Sequence, residues 1–167
     1  MTERDYGYVA ATFTEGDIKP FQKLTSVITK REDLYNSDAV DYIQGDVSSK
    51  LHMTFFYGLI DEKIDKNEMN AFISNLSLPE VLVLRGLTVR KEYSGFCQIL
   101  WVDVLDSTGE LRKISESFKR FPFEESVQLG FIPHLTLAYV KDDYKLPETT
   151  LVYPREIKVK GIKYFKK

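Results

Sequence analysis

Two stretches of the chain share one pattern: Leu51-His52-Met53-Thr54-Phe55-Phe56-Tyr57 and Pro133-His134-Leu135-Thr136-Leu137-Ala138-Tyr139. They contain the only two histidines of the chain, and in both a threonine follows two residues after the histidine and a tyrosine five residues after it. Because only eleven of the 167 residues are threonine, chance would place threonine after both histidines about 0.4% of the time. The pattern therefore indicates an internal repeat.

Both stretches have the composition of β-strands, in which residues two apart point to the same face. His52 and Thr54 are then expected to project together, as are His134 and Thr136. If the two strands lie side by side around a pseudo-two-fold axis, both imidazoles and both hydroxyls converge on one cleft. The opposite face of each strand is expected to lie in the core, with Met53, Phe55 and Tyr57 in one copy and Leu135, Leu137 and Tyr139 in the other.

Two imidazoles across a cleft suit a reaction in which one proton is removed from a nucleophile while another is delivered to a leaving group. Histidine titrates near pH 6.5, so one ring can be neutral while the other is protonated. A threonine hydroxyl can donate a hydrogen bond to a phosphoryl oxygen. We therefore predict metal-independent phosphodiester cleavage, particularly at ribose 2′- or 3′-oxygens, with His52 and His134 catalytic and Thr54 and Thr136 binding phosphate. The sequence does not decide which histidine is the base.

Simpler interpretations of the histidines stay open. Each could be a structural residue with satisfied hydrogen bonds, although a folding role would not require threonine at the same offset twice. A zinc site is a weaker alternative, because each motif supplies one ligand and no nearby carboxylate has ligand spacing. The sequence thus predicts no metal and no cofactor. Trp101 lies in a strand that is apolar on both faces and is interpreted as a core residue.

Two aromatic residues are further candidates for substrate binding. Phe56 has the cleft-side parity of its strand and could stack on a base, with core packing as the equal alternative. Tyr8 opens the first strand and could line the cleft beside it, or it could be a rim or core tyrosine.

Composition narrows the class of protein. With 167 residues and 43% hydrophobic content, the chain is expected to form one compact domain over residues 1–167. A net charge of −2 argues against a protein that coats long nucleic-acid duplexes, but permits a short nucleotide. One cysteine cannot form an internal disulfide, so a reducing cytoplasm is expected. No signal peptide and no membrane-spanning run is evident, and we expect a monomer that does not bind membranes.

Strand-like and helix-like segments alternate along the chain, which predicts an α/β or α+β sandwich. Strands are expected at 8–13, 51–59, 81–84, 87–90, 96–105, 131–140 and 157–165, and helices at 18–30 and 65–76. A third helix is expected to contain Leu111, Ile114 and Phe118. Asp17 and Asp65 are predicted N-caps, with Pro20 in the first turn of its helix. The Ser107-Thr108-Gly109-Glu110 stretch has capping-box spacing. Residues 31–50 are expected to form a loop with a helical turn near 39–43.

The two motifs resemble those of the 2H phosphoesterase superfamily, which is defined by two His-x-Thr/Ser motifs on paired strands. The resemblance is strongest to the branch of 2′-5′ RNA ligase-like proteins and RNA 2′,3′-cyclic phosphodiesterases. It extends to the glycine-containing strand Leu84-Arg85-Gly86-Leu87 and the central strand Ile99-Leu100-Trp101-Val102-Asp103-Val104. In order, the similar segments extend over residues 8 to 165.

The resemblance implies an α+β bilobal fold, with two pseudo-symmetric antiparallel sheet lobes, helices outside and a central cleft. It implies general acid and base roles for His52 and His134, and phosphate binding by Thr54 and Thr136. The implied substrates carry a 2′,3′-cyclic phosphate or a 2′-5′ linkage, as in an RNA end or a small nucleotide. Two alternatives stay open: a hydrolase of cyclic oligonucleotide second messengers, for example a viral enzyme that counters host immune signalling, and a catalytically silent nucleotide-binding module.

Overall fold

The computed structural model describes residues 5–35, 51–91, 97–128, 130–148, 152 and 154–166, and within them the chain forms seven strands and three α-helices. The strands are β1 (Tyr6–Thr12), β2 (Met53–Ile60), β3 (Val81–Lys91), β4 (Gln98–Val104), β5 (His134–Val140), β6 (Glu156–Lys158) and β7 (Gly161–Lys166). The helices are α1 (Glu15–Ile28), α2 (Lys66–Ser74) and α3 (Glu110–Ser117). The helical turn predicted near 39–43 lies outside the described residues.

The strands form two antiparallel sheets, ordered β2-β1-β7 and β5-β4-β3-β6. The two motif strands, β2 and β5, are therefore edge strands of different sheets, and they lie against each other where the sheets meet. Helix α3 packs on β2, and helix α1 packs on β5. This arrangement confirms the α+β architecture of two sheet lobes that the resemblance implied.

The core lies between the sheets and the helices and follows from the alternation of the strands. In β5, Leu135 and Leu137 are buried, whereas His134 and Thr136 are only partly buried. Phe21 of α1 and Phe118, which follows α3, are the largest side chains that the helices contribute to this core. Each motif strand thus has one face in the core, and its polar residues face the other way.

Helix α1 begins earlier than predicted because Thr14, and not Asp17, is its N-cap. The backbone N–H of Asp17 donates to the Thr14 hydroxyl at 3.3 Å, and that hydroxyl donates to the Asp17 carboxylate at 2.9 Å. The helix therefore starts at Glu15, and Pro20 lies beyond the first turn. The predicted cap of α2 is confirmed, since the Asp65 carboxylate accepts from the N–H groups of Asn67 and Glu68.

The capping box predicted for α3 is wrong. Gly109 is the N-cap, with a positive φ of 73° and no side-chain cap, and Ser107 plays no part. Instead, the Asp106 carboxylate accepts from the backbone N–H groups of Leu111 at 2.9 Å and Arg112 at 3.0 Å. The negative charge of Asp106 also interacts favourably with the positive end of the helix dipole. The side chain of Asp106 therefore does what the predicted capping box assigned to Ser107.

We expect Asp106→Ala to lower the free energy of unfolding by about 0.5–2 kcal/mol, because two N–H groups of the first turn lose their acceptor. Ser107→Ala is the matched control and is expected to change it by less than about 0.5 kcal/mol. Urea denaturation of the two variants measures the difference. Equal losses in both variants would contradict the assignment of the cap.

The single strand predicted at 157–165 is in fact two strands that belong to different sheets. β6 pairs with β3, and β7 pairs with β1. Between them, the N–H of Val159 donates to Glu80 at 2.9 Å and the N–H of Lys160 donates to Thr12 at 2.8 Å. The chain therefore crosses from one sheet to the other at Val159–Lys160 while its backbone remains hydrogen-bonded on both sides.

Candidate active site

Both motif strands contain a β-bulge at the same position of the motif. Along β2, Thr54 and Phe56 pair with consecutive residues of β1, so Phe55 is the extra residue. The same shift in the pairing of β5 with β4 makes Leu137 the extra residue. Each extra residue lies three positions after the motif histidine. Because a bulge inserts one residue into the alternation, the residues that follow it change face, in β2 up to a second irregularity at Gly58.

The face change brings the motif tyrosines out of the core. Tyr57 and Tyr139 are both partly exposed, whereas two consecutive buried residues precede each of them. They therefore lie on the same face of their strands as Thr54 and Thr136. The expectation that both tyrosines lie in the core is wrong, because it assumed strict alternation through the motif.

The same bulge turns the side chain of Phe56 into the core and away from the cleft. Its side chain is only 1% exposed, and its ring lies 5.3 Å from that of Phe123 and 6.4 Å from that of Phe118, measured between ring centres. A bound base cannot stack on a ring that is enclosed in this way. Phe56 is a core residue, and the prediction that it contacts substrate is wrong.

His134 is oriented by the backbone immediately before its own strand. Its Nδ1 lies 2.6 Å from the carbonyl oxygen of Ile132. Because a carbonyl can only accept, the hydrogen is on Nδ1, and Nδ1 donates. In the neutral ring, Nε2 then has the lone pair, which is the form that removes a proton from a nucleophile.

Trp101 forms a wall against the His134 ring. The two ring centres are 4.3 Å apart, and the indole N–H donates to Oδ1 of Asp103 at 2.8 Å. The Thr88 hydroxyl donates to Oδ2 of the same carboxylate at 2.5 Å. Trp101 is buried, as its sequence context suggests, but its contact with His134 was not foreseen. Asp103 pairs across the sheet with His134, so the carboxylate lies close to the imidazole as well.

The environment lowers the pKa of His134 below its ordinary value of 6.5. Burial is the main cause, since it disfavours the charged ring. The Ile132 carbonyl and the Asp103 carboxylate oppose this effect, whereas the charges of His52 and Arg90 add to it. His134 is therefore neutral at pH 7, and it lies within electrostatic range of His52.

His52 lies immediately before β2, beside an aromatic group from the same sheet. The centre of its ring is 5.4 Å from that of Tyr8 and 6.5 Å from that of Phe165. Tyr8 and Phe165 stack on each other at 5.1 Å with an angle of 18° between their planes. The structure thus places Tyr8 next to the first motif histidine.

The two motifs are brought together, and their surroundings differ. The rings of Tyr8 and Phe165 flank His52, whereas Trp101, Asp103 and a backbone carbonyl surround His134. Among the described residues, no group of three His, Cys, Asp or Glu side chains is arranged to hold a metal ion. No helix in this part of the chain has both the length and the apolar character needed to cross a membrane.

No family model and no curated protein matches the sequence. Solved structures do match the fold. A phosphoesterase crystal structure has a TM-score of 0.60 at 10% identity, covering 98% of this chain and 88% of that one. Escherichia coli LigT complexed with 3′-AMP has a TM-score of 0.58 at 11% identity, with the same coverage. Kluyveromyces marxianus Usb1 with uridine monophosphate has a TM-score of 0.52 at 14% identity, covering 84% and 73%. The chain therefore has the bilobal fold of the 2H phosphoesterases.

Proposed function

We propose that this protein is a metal-independent phosphodiesterase that acts on nucleotide substrates with a 2′,3′-cyclic phosphate or a 2′-5′ linkage. The observation that carries the proposal is the neutral, hydrogen-bonded ring of His134 within electrostatic range of His52, with one motif threonine on the same face of each strand. The structural neighbours support it, because LigT was crystallised with 3′-AMP and with phosphate, and Usb1 with uridine monophosphate.

The lowered pKa of His134 supports the choice of His134 as the base and His52 as the acid. For a 2′-5′ linkage, Nε2 of His134 takes the proton of the ribose 3′-hydroxyl as that oxygen attacks phosphorus. The bond from phosphorus to the 5′-oxygen breaks, and His52 gives its proton to that oxygen. The products are a 2′,3′-cyclic phosphate and a free 5′-hydroxyl. A 2′,3′-cyclic substrate is proposed to bind with its departing ribose oxygen beside His52. His134 then takes a proton from the attacking water, the bond from phosphorus to that ribose oxygen breaks, and His52 protonates the oxygen.

Thr54 and Thr136 are proposed to donate hydrogen bonds to the non-bridging oxygens of the phosphate. Each lies two residues after its histidine, and therefore on the same strand face. These bonds strengthen as negative charge accumulates on the oxygens in the transition state. Tyr8 is proposed to contact the nucleoside next to His52.

In a plot of kcat/KM against pH, the acidic limb should lie below pH 6.5, the ordinary pKa of histidine. A lowered pKa keeps His134 deprotonated, and thus active as a base, until the pH falls through that lower value. Arg90→Gln removes a repulsive charge and should move the limb to higher pH, whereas Asp103→Asn removes an attractive one and should move it to lower pH. Measurements of kcat/KM from about pH 4 to about pH 9 resolve both shifts. A limb that stays in place in both variants would contradict the role of His134 as base.

The experiment that tests the proposal is a substrate panel in EDTA with identification of products. The panel contains 2′,3′-cyclic mononucleotides, 2′-5′-linked adenylates, cyclic di- and trinucleotides and short RNA ends, with His134→Ala as the control enzyme. Cleavage of a cyclic phosphate or 2′-5′ linkage by the wild type alone supports the proposal. Turnover restricted to cyclic oligonucleotides favours the second-messenger alternative. Tight binding without product favours a silent nucleotide-binding module and refutes the proposed activity.

A further inference from the structure

Two rows of side chains cross the two sheets at equivalent positions, and each begins at the tyrosine of a motif. Strand pairing defines the rows. In one sheet the row runs from β2 across β1 to β7, and in the other from β5 across β4 to β3, through residues that lie directly opposite each other. The first row consists of Tyr57, Tyr8 and Phe165, and the second row of Tyr139, Ile99 and Arg90. All six side chains are at least partly exposed.

The rows exist because of the two bulges. Without a bulge at Phe55, strict alternation would turn Tyr57 into the core and Phe56 outward, and the same holds for Tyr139 on β5. Both bulges occur at the same offset from the histidine, in sheets that differ in strand number. Bulges beside active sites commonly re-aim a side chain. The duplicated offset therefore indicates that the tyrosines serve the cleft and do not merely shape one sheet.

The first row is an aromatic surface continuous with His52. The ring centres of Tyr57 and Tyr8 are 6.4 Å apart, those of Tyr8 and Phe165 are 5.1 Å apart, and Tyr8 is 5.4 Å from the imidazole. Flat π-faces that remain partly exposed suit the stacking of a nucleobase. The first row thus fits the base of a nucleotide bound on the His52 side.

The second row has one ring, one aliphatic side chain and one cation. The guanidinium carbon of Arg90 lies 5.9 Å from the ring centre of Trp101, which packs on His134. A guanidinium is charged at all relevant pH values and binds phosphate oxygens in a bidentate manner. The second row therefore fits the sugar and phosphate of a nucleotide on the His134 side, and Tyr139 contributes its aromatic ring to this row.

We infer that the repeated unit is His-x-Thr-x-x-Tyr, and that Tyr57 and Tyr139 bind the two nucleotide units on either side of the scissile phosphate. The inference rests on the proposed function and narrows its substrate class. A phosphodiester that joins two nucleotides, linear or cyclic, contacts both rows. A 2′,3′-cyclic mononucleotide contacts only one.

The test compares two substrates, adenylyl-(2′→5′)-adenosine and adenosine 2′,3′-cyclic phosphate, in four variants. We expect Tyr57→Leu and Tyr139→Leu each to raise KM for the dinucleotide about 5- to 100-fold, with a smaller change in kcat, because a stacked base is lost. Tyr57→Phe and Tyr139→Phe keep the ring and should restore most of the affinity. For the mononucleotide, only one of the two leucine variants should raise KM.

The outcomes separate this inference from the proposed function. If the wild type cleaves the dinucleotide and both leucine variants keep its KM, or if both raise KM equally for the two substrates, the inference is overturned and the activity stands. If the wild type cleaves neither substrate, the proposed function fails, and equilibrium binding of the same dinucleotide decides the inference. Weaker binding in both leucine variants then supports it, whereas unchanged or absent binding overturns it.

Arg90→Gln gives a second readout at an exposed side chain, where misfolding is not expected. It should raise KM for the dinucleotide, which contacts both rows, and should raise KM for the mononucleotide only if Tyr139→Leu does so as well. An unchanged KM for the dinucleotide would remove Arg90 from the second row's binding role. Thermal unfolding of all five variants checks that the changes in KM do not follow from lost folded protein.

Discussion

His134→Ala is expected to lower kcat for a 2′-5′ or 2′,3′-cyclic substrate by about 10²–10⁴-fold, the usual contribution of one positioned acid or base. The reason is local: the proposed function assigns the removal of the nucleophile's proton to the His134 ring, which contacts Ile132 and Trp101. His52→Ala should cause a loss in the same range. Because the two rings act in one proton-transfer step, the double variant should lose little more than either single variant. Single-turnover kinetics measure the effect on the chemical step.

Two controls separate a lost base from a lost fold. His134 is only partly buried, so His134→Ala should unfold in urea close to the wild type. Added imidazole should restore part of the activity of His134→Ala, since a free base can enter the space that the side chain leaves. A variant that kept full activity at either histidine would refute the acid–base assignment.

The second large effect is on stability. Phe56→Ala is expected to lower the free energy of unfolding by about 3–5 kcal/mol, because it removes a buried ring and leaves a cavity. Phe56 is 1% exposed and packs edge-on against Phe123. Chemical denaturation with full baselines measures the loss.

Tyr57→Leu is the matched comparison, since the two aromatic residues are neighbours on β2 but only Tyr57 is partly exposed. Tyr57→Leu should lower the free energy of unfolding clearly less than Phe56→Ala does, while it raises KM for the dinucleotide. If Phe56→Ala instead kept the wild-type free energy of unfolding and raised KM, Phe56 would have to lie in the cleft. That result would contradict the position of the bulge.

The repeated pattern was enough to predict which side chains of the candidate site lie together, because a histidine and a threonine two residues apart on a strand share a face. The bulges were not predictable in the same way. In β2, Phe55 and Phe56 are equally apolar, and nothing in their side chains shows that both turn inward. The tyrosine that both motifs share is the one feature of the sequence that points to the bulges. Strict alternation places it in the core, whereas a bulge places it on the face of the histidine and threonine.

Local competition between similar groups explains the errors in the helix caps. Thr14 and Asp17 can both cap α1, and Asp106 and Ser107 can both cap α3. The choice depends on backbone angles outside the helix, such as the positive φ of Gly109. The predicted caps were wrong at α1 and α3, where Thr14 and Asp106 cap instead, and the prediction was confirmed at Asp65, although Asn67 lies two positions beyond it.

The two histidine roles depend on tertiary contacts that no motif encodes. The motifs share histidine, threonine and tyrosine at the same offsets, yet their surroundings differ. The ring of His134 packs against an indole and lies near a carboxylate that accepts from Thr88, whereas the ring of His52 lies beside Tyr8 and Phe165. The indole, the carboxylate and Thr88 come from strands more than thirty residues earlier in the chain than His134. The lowered pKa of His134 is therefore a property of the assembled sheets.

The crossing at Val159–Lys160 has a consequence for how the protein admits its ligand. Only Val159 and Lys160 join β6 to β7, and each is hydrogen-bonded to a different sheet, Val159 to Glu80 and Lys160 to Thr12. Along this connection, one lobe can turn against the other without breaking either bond only through the few backbone torsions between these two residues. We expect this tight coupling to limit changes in the width of the gap between the lobes, so that a molecule binding there meets a gap of nearly fixed shape.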